Sequence, residues 1–370
     1  MIEVSMNQIM LACLLFFSWS LLAEEKKLIS GKTAYNYENI IQRSDVIWGF
    51  DFLSDGRILF TERGGKLSVF DPKTKKITDI IGLPKVYAFG QGGLLDVRVH
   101  PKNGYLYFTY SEPVKDLSTT ALLRAKLEGN SLKSIEKLFS AHQPNDNDIH
   151  YGSRIEFDDK GHLFITVGDR DERHHAQKLD YHQGKILRLN EDGSIPQDNP
   201  FVKTKNTKPE IWSYGHRNPQ GLVRNSETGD IWEAEFGPRG GDEINLIQAG
   251  KNYGWPLITF GKEYWGPKIG EGTKKEGIEN PVKHWVPSIS PSAITIYHGD
   301  VFPEWKGNIF LATLSSTHLR RLVLKGKEVI SEDELLKDLD YRFRNIRPGP
   351  DGFIYYSTDE GKLGRLVPVK

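Results

Sequence analysis

One short pattern recurs six times along this chain: an apolar strand, a turn containing glycine, and a second apolar or aromatic strand. It reads FDFLSDGRILFTE, VRVHPKNGYLYFTYSE, IEFDDKGHLFITVGD, LVRNSETGDIWEAEFG, VFPEWKGNIFLATL and IRPGPDGFIYYSTDE, with turns centred on Gly56, Gly104, Gly161, Gly229, Gly307 and Gly352. A hairpin with apolar residues on both faces needs a neighbour on each side. Repetition at intervals of roughly 45 to 80 residues meets that need by packing the units around an axis. The expected fold is therefore all-β, a six-bladed β-propeller. No long helical period interrupts it; Glu332 to Leu339 is read as one short helix. The spacing is uneven, which places long inserts between Arg170 and Ile211 and between Gly254 and Ser292. Loops on one face of a rigid ring are where a site is usually built.

No domain boundary is visible after residue 45, so residues 46–370 are read as one propeller domain, preceded by a polar segment at 24–45. Residues 1–23 are read as a signal peptide. Ile9 to Phe17 is an apolar run too short to span a bilayer, followed by SWSLLA and Glu24-Glu25-Lys26-Lys27. Cleavage after Ala23 fits, although no basic residue precedes the run and Leu21 is large for the minus-three position. An uncleaved anchor is the alternative. Cys13, the only cysteine, lies inside this segment. The mature chain would hold no disulfide and no thiolate metal site, as suits a periplasmic or secreted protein. Lys+Arg and Asp+Glu are both 49, giving a formal net charge of zero, and no basic run is interleaved with aromatics. Nucleic acid is excluded as a partner on that ground.

The densest chemistry lies between Ile211 and Pro256. Arg217 and Asn218 stand just before Pro219, whose ring favours extended geometry in the preceding residue. Both polar side chains therefore project from a fixed backbone. Glu235-Phe236-Gly237-Pro238 is followed by Gly240, Gly241, Asp242 and Glu243. Exposed carbonyls beside carboxylates suit a hard cation such as Ca²⁺, while a long solvated loop of turn formers is the plainer reading. Gln91 sits among glycines in GQGGLLDVRVHP, where the backbone can approach a ligand closely. His150 precedes one strand and Asp169 closes the next, and a hairpin at Asp159-Lys160-Gly161 would bring them to the same end. An aspartate held against a histidine makes a base of fixed tautomer, or else a structural pair. Arg342 and Arg344 alternate around Phe343, so both guanidiniums share one face and suit a carboxylated ligand. His182 and His216 are read as structural. A phosphate-binding glycine loop, a Rossmann unit, an HExxH motif and a nucleophile elbow are all missing, which argues against nicotinamide enzymes and zinc proteases.

Taken in order, GQGGLLDVRVHP, HYGSR, ITVGDR, QGKILRLNEDGSIPQDNPF, YGHRNPQGL, EFGPRGGDEINLI, KNYGWP, SISPSA and YRFRNIRPGPDG resemble the soluble aldose sugar dehydrogenases that use pyrroloquinoline quinone (PQQ). The resemblance runs from about Trp48 to Val367, and that family's fold is a six-bladed β-propeller. It implies that His150 takes the proton from the sugar's anomeric hydroxyl and that Asp169 holds His150. Gln91, Arg217 and Asn218 would contact the quinone, and Arg342 and Arg344 would pair with its carboxylates. The carbonyls of Gly237 and Pro238 would bind a Ca²⁺ beside the cofactor, and Glu243 with the Tyr253 carbonyl would bind a second, structural Ca²⁺. An aldose would be oxidised to its lactone and electrons passed to an external acceptor, by a monomer or homodimer. Trp265 and Trp285 are candidates for stacking on the sugar. One departure stands out: where the family places a lysine near the cofactor, this chain has Ser315. Two other readings stay open, a Ca²⁺-dependent lactonase-type hydrolase and a non-catalytic propeller that binds a sugar or a protein.

Overall fold

The computed structural model describes residues 28–369, and the proposed signal peptide and Cys13 lie outside them. Each of the six repeated hairpins forms the two inner strands of a separate antiparallel sheet. Their turn glycines all adopt left-handed backbone, with φ between 68° and 88°, a region closed to most side chains. The first blade comprises Ile47–Phe52, Ile58–Glu62, Lys66–Asp71 and Lys76–Ile80. The second comprises Leu94–Val99, Leu106–Val114, Leu117–Glu128 and Ser131–Ser140, and the third Ile155–Phe157, His162–Val167, Lys185–Asn190 and Ile211–Tyr214. The fourth is Pro219–Arg224, Ile231–Glu235, Asp242–Ile247 and Lys283–Trp285. The fifth is Pro291–Ile296, Ile309–Thr313, Leu319–Lys325 and Glu328–Leu335.

The sixth blade closes the ring. Phe343–Pro348, Ile354–Thr358 and Lys362–Pro368 from the end of the chain are completed by Thr33–Gln42, with Leu28–Ser30 outside it. Tyr37 pairs with Leu366 and Glu38 with Arg365 across the seam. The polar segment at 24–45 is thus partly a propeller strand, and the fold begins before residue 46. Its weak apolar period reflects its outer position, where only Tyr35 and Ile41 of the strand are fully buried.

The apolar core lies between neighbouring blades. Leu59 and Leu67 of the first blade meet Leu94, Val97 and Phe108 of the second, all essentially buried. The expected helix at Glu332–Leu339 is instead the outermost strand Glu328–Leu335 followed by a 3₁₀ turn at Lys337–Leu339. Charge pairing explains the difference. Arg320 reaches Glu332 and Glu334, two residues apart on one face, while Arg321 takes Asp333 on the other. Only a strand puts those acids on alternate faces.

One side chain joins all six blades on the axis. Arg154 is buried and donates to the Gln220, Ser292 and Arg344 carbonyls and to Asp96. Its guanidinium lies 4.1 Å from the Trp48 ring centroid. The third blade's arginine is thereby tied to inner-strand residues of the other five.

Candidate active site

Above Arg154, loops and strand ends from all six blades enclose a cavity of about 290 Å³. Gln91, His150, Arg217, Gly237, Pro238, Arg342 and Arg344 all line it, joined by Trp48, Arg63, Gln220, Tyr264 and Asp359. Seven of the residues singled out in the sequence, spread over more than 250 positions, therefore meet on one wall system.

His150 and Asp169 form the expected pair, with Nδ1 and Oδ1 2.7 Å apart. His150 is only 5 % exposed and takes left-handed backbone at φ 55°. Gln91 Oε1 accepts its backbone N–H at 2.9 Å. Gly168 lies beneath: a Cβ there would collide with the His150 carbonyl, so only glycine lets this loop settle. With Nδ1 held by Asp169, Nε2 is the nitrogen left for chemistry. Burial, and then the nearby Arg217 charge, lower the His150 pKa below its ordinary value, while Asp169 pulls the other way. Burial pushes the Asp169 carboxyl up, but His150 and Arg217 outweigh it and hold it below the usual carboxylate range. The second oxygen of Asp169 accepts the indole N–H of Trp255 at 2.7 Å. Trp255 belongs to KNYGWP, but no spacing rule in the sequence connects it with Asp169.

Arg217 follows from a buried scaffold. Its backbone N–H donates to Glu235 Oε2 at 2.6 Å, and its guanidinium donates to the Phe236 and Gly237 carbonyls at 3.2 and 3.0 Å. The Asn218 side chain is fully buried; its oxygen accepts the Gly152 N–H while its Nδ2 finds no partner among the described residues. Arg342 and Arg344 do share a face, and both reach Asp359: Arg342 Nε at 3.1 Å and Arg344 Nε and Nη2 at 2.8 and 2.9 Å. Burial raises the Asp359 pKa, but the two arginines outweigh that and hold it low. Asp359 had no sequence signal, because its role depends on two arginines one strand away.

The acidic cluster sits behind the Gly237 loop. Glu235, Glu243, Tyr253 and Thr259 border a void of about 20 Å³. Asn245 Nδ2 lies within 3.1 to 3.4 Å of Glu233, Glu235 and Glu243. Burial, and then the Glu235 charge, push the Glu233 and Glu243 carboxyls well above their ordinary range. Oε1 of Glu233 has no partner among the described residues. Three buried carboxylates around one amide are an arrangement that a cation would stabilise. Tyr253 itself faces away, its hydroxyl donating to the Leu246 carbonyl, so its backbone carbonyl is the group left for a metal. His216 is bonded to Ser213 and Glu235 and lies with Glu233 and Glu235 in a buried group whose ligand atoms are all within 4.8 Å of one another, while His182 is bonded to Glu210. Trp285 does not reach the cavity: it is buried in the fourth blade with its indole N–H on Glu332, whereas Trp265 is 74 % exposed beside Tyr264 on the rim.

These features define a class, the six-bladed propeller enzymes with their site at one end of the ring axis. Residues 44–367 match the family described as Glucose / Sorbosone dehydrogenase. The chain is 39 % identical over 363 residues to the aldose sugar dehydrogenase YliI of Escherichia coli, covering 96 % of this chain and 98 % of that one. It is 33 % identical over 257 residues to quinoprotein glucose dehydrogenase B of Acinetobacter calcoaceticus, covering 61 % of this chain and 52 % of that protein. The crystal structure of the apo form of the E. coli enzyme superposes with a TM-score of 0.88 over 90 % of this chain and 100 % of that one. The PQQ-bound aldose sugar dehydrogenase of Streptomyces coelicolor, 25 % identical, does so at 0.75 over 90 % and 98 %. The chain belongs to the glucose/sorbosone dehydrogenase family and is an oxidoreductase.

Proposed function

We propose that this protein is a PQQ- and Ca²⁺-dependent aldose dehydrogenase that oxidises the anomeric hydroxyl of a sugar to the lactone and hands electrons to an external acceptor. The observation that carries this reading is the His150–Asp169 pair opening onto a cavity lined by four guanidiniums. The residues present fit both groups. Arginines suit a polycarboxylate, the buried Asn218 Nδ2 is a donor without a partner, and the Gly237 and Pro238 carbonyls at the cavity wall suit a hard cation. Glu243, supported by Glu233 and Glu235, and the Tyr253 carbonyl would hold the second Ca²⁺.

When bound, PQQ supplies the two-electron acceptor for the hydride leaving the sugar's anomeric carbon. His150 Nε2 takes the hydroxyl proton, and the resulting imidazolium is stabilised by Asp169. Burial keeps His150 neutral, and so ready as a base, below the ordinary histidine pKa. Arg217 and Asn218 would hold the acceptor, and the Arg217 guanidinium would offset negative charge beside it. Gln91 fixes the His150 backbone as well as lining the cavity. Tyr264 and the exposed Trp265 flank the opening through which the sugar enters.

The hydrolase alternative is less well supported. It calls for several carboxylates converging on one ion in the cavity, whereas among the described residues Asp359 is the single acid on this wall and is engaged by two arginines. The test is reconstitution of the leaderless protein with PQQ and Ca²⁺, followed by glucose, galactose or xylose. The expected result is a change of the cofactor's absorption to the reduced quinol. PQQ that binds but stays oxidised with every aldose would overturn the reading.

The described residues include no helix long and apolar enough to cross a membrane. We place the protein in the periplasm or outside the cell on the character of its first residues.

A further inference from the structure

Of the four guanidiniums on the cavity wall, three are already committed. Arg217 donates to carbonyls of the Gly237 loop, Arg342 to Asp359 and the Leu314 carbonyl, and Arg344 to Asp359 and Gln220. The fourth, Arg63, has no side-chain hydrogen bond or ion pair among the described residues. Its acidic neighbour Glu62 is taken by Arg43, and Asp45 accepts the Gly64 N–H.

Arg63 is nevertheless held in place by its backbone. Its N–H donates to the Val46 carbonyl and its own carbonyl accepts the Leu94 N–H, both at 3.0 Å. Gly93 leaves the space it occupies, since a Cβ there would collide with the Arg63 carbonyl and come within 2.7 Å of its Cγ. Gln91, two residues before Gly93, lines the same cavity. An unpaired cation carried on a held backbone at a partly enclosed wall is what an anionic ligand completes.

The sign of the wall agrees: among the described residues four arginines line the cavity with one aspartate, an excess of positive charge that suits a polycarboxylate such as PQQ. Ser315 carries none of that charge. It is exposed, and its hydroxyl donates to the Ser288 carbonyl at 3.2 Å.

Resting on the PQQ reading above, we propose that Arg63 is a cofactor-binding residue that pairs with a PQQ carboxylate, supplying from the first blade the cation that Ser315 does not supply from the fifth. The full-length mature protein, freed of cofactor and kept in Ca²⁺, is titrated with PQQ and with its trimethyl ester, following tryptophan fluorescence. Arg63→Gln should weaken PQQ binding about 10- to 100-fold, with Arg63→Lys recovering part of the loss. The difference should shrink as salt rises, and the ester should bind wild type and Arg63→Gln alike. Equal PQQ affinity in wild type and Arg63→Gln overturns the proposal, as does an equal loss for PQQ and ester, which would assign the effect to pocket shape. So does an unchanged PQQ affinity with a raised KM for the aldose, which would assign Arg63 to the sugar. Wild-type protein that binds no PQQ instead overturns the cofactor reading itself.

Discussion

Trp255 Nε1 donates to Asp169 Oδ2 at 2.7 Å, reaching from the long insert of the fourth blade to the carboxylate that holds His150 in the third. The indole is itself anchored, its backbone N–H on the Gly215 carbonyl and its carbonyl on Gln177. The carboxylate thus has one oxygen for the histidine and one for the tryptophan, and cannot rotate between them. Trp255→Phe keeps the ring and removes the donor. Asp169 becomes more basic, holds the His150 proton more strongly and raises its pKa. The acid limb of the kcat/KM profile should move to higher pH, and kcat should fall roughly tenfold with KM little changed, consistent with loss of a charge-assisted bond. A pH profile superimposable on wild type would remove Trp255 from this role.

His150 is expected to be required for turnover but not for binding. His150→Ala should lower dye reduction by roughly 10² to 10⁴-fold, the usual contribution of a positioned base, while PQQ affinity changes little. In the wild type, the group is neutral in the folded protein at pH values where a free histidine is charged, because its pKa is lowered. Activity should therefore persist below about pH 6.5 before the acid limb sets in. Stability follows the same sign: the contribution of neutral His150 is present above the unfolded pKa and is lost as pH falls through the folded one. Rate profiles and thermal midpoints between pH 5 and 8 check both.

Calcium should stabilise the fold as well as serve the site. Glu233, Glu235 and Glu243 are buried around Asn245, and among the described residues no guanidinium or ammonium is bonded to them. Ca²⁺ at a hundred times its dissociation constant would add about 2.7 kcal/mol, and a chelator would lower the thermal midpoint by several degrees. Glu243→Gln should shrink that chelator-sensitive difference. A midpoint indifferent to both Ca²⁺ and chelator would count against the structural site.

Arg154 is expected to matter for the ring rather than for the reaction. Arg154→Leu leaves Asp96 buried without its cation and frees three carbonyls from different blades. The cost should be about 3 to 5 kcal/mol, read by denaturant unfolding. A loss under 1 kcal/mol would mean that blade packing alone holds the axis.

The repeating hairpins determined the architecture without help from tertiary structure, because glycine turns and two-sided apolar strands admit few solutions other than radial packing. His150 with Asp169, and Arg342 with Arg344, were legible for a related reason: strand alternation and hairpin geometry are local rules that survive folding. The ring closure was not legible, since Thr33–Gln42 lies on the outside of its blade and carries little apolar pattern. Nor was the strand at Glu328–Leu335, whose state is set by Arg320 and Arg321 on its neighbour. Trp255 against Asp169, Asp359 between two arginines and the unpaired Arg63 are separated in sequence from the groups that give them meaning. Their roles come from which blade ends meet at the axis, and only the closed ring decides that.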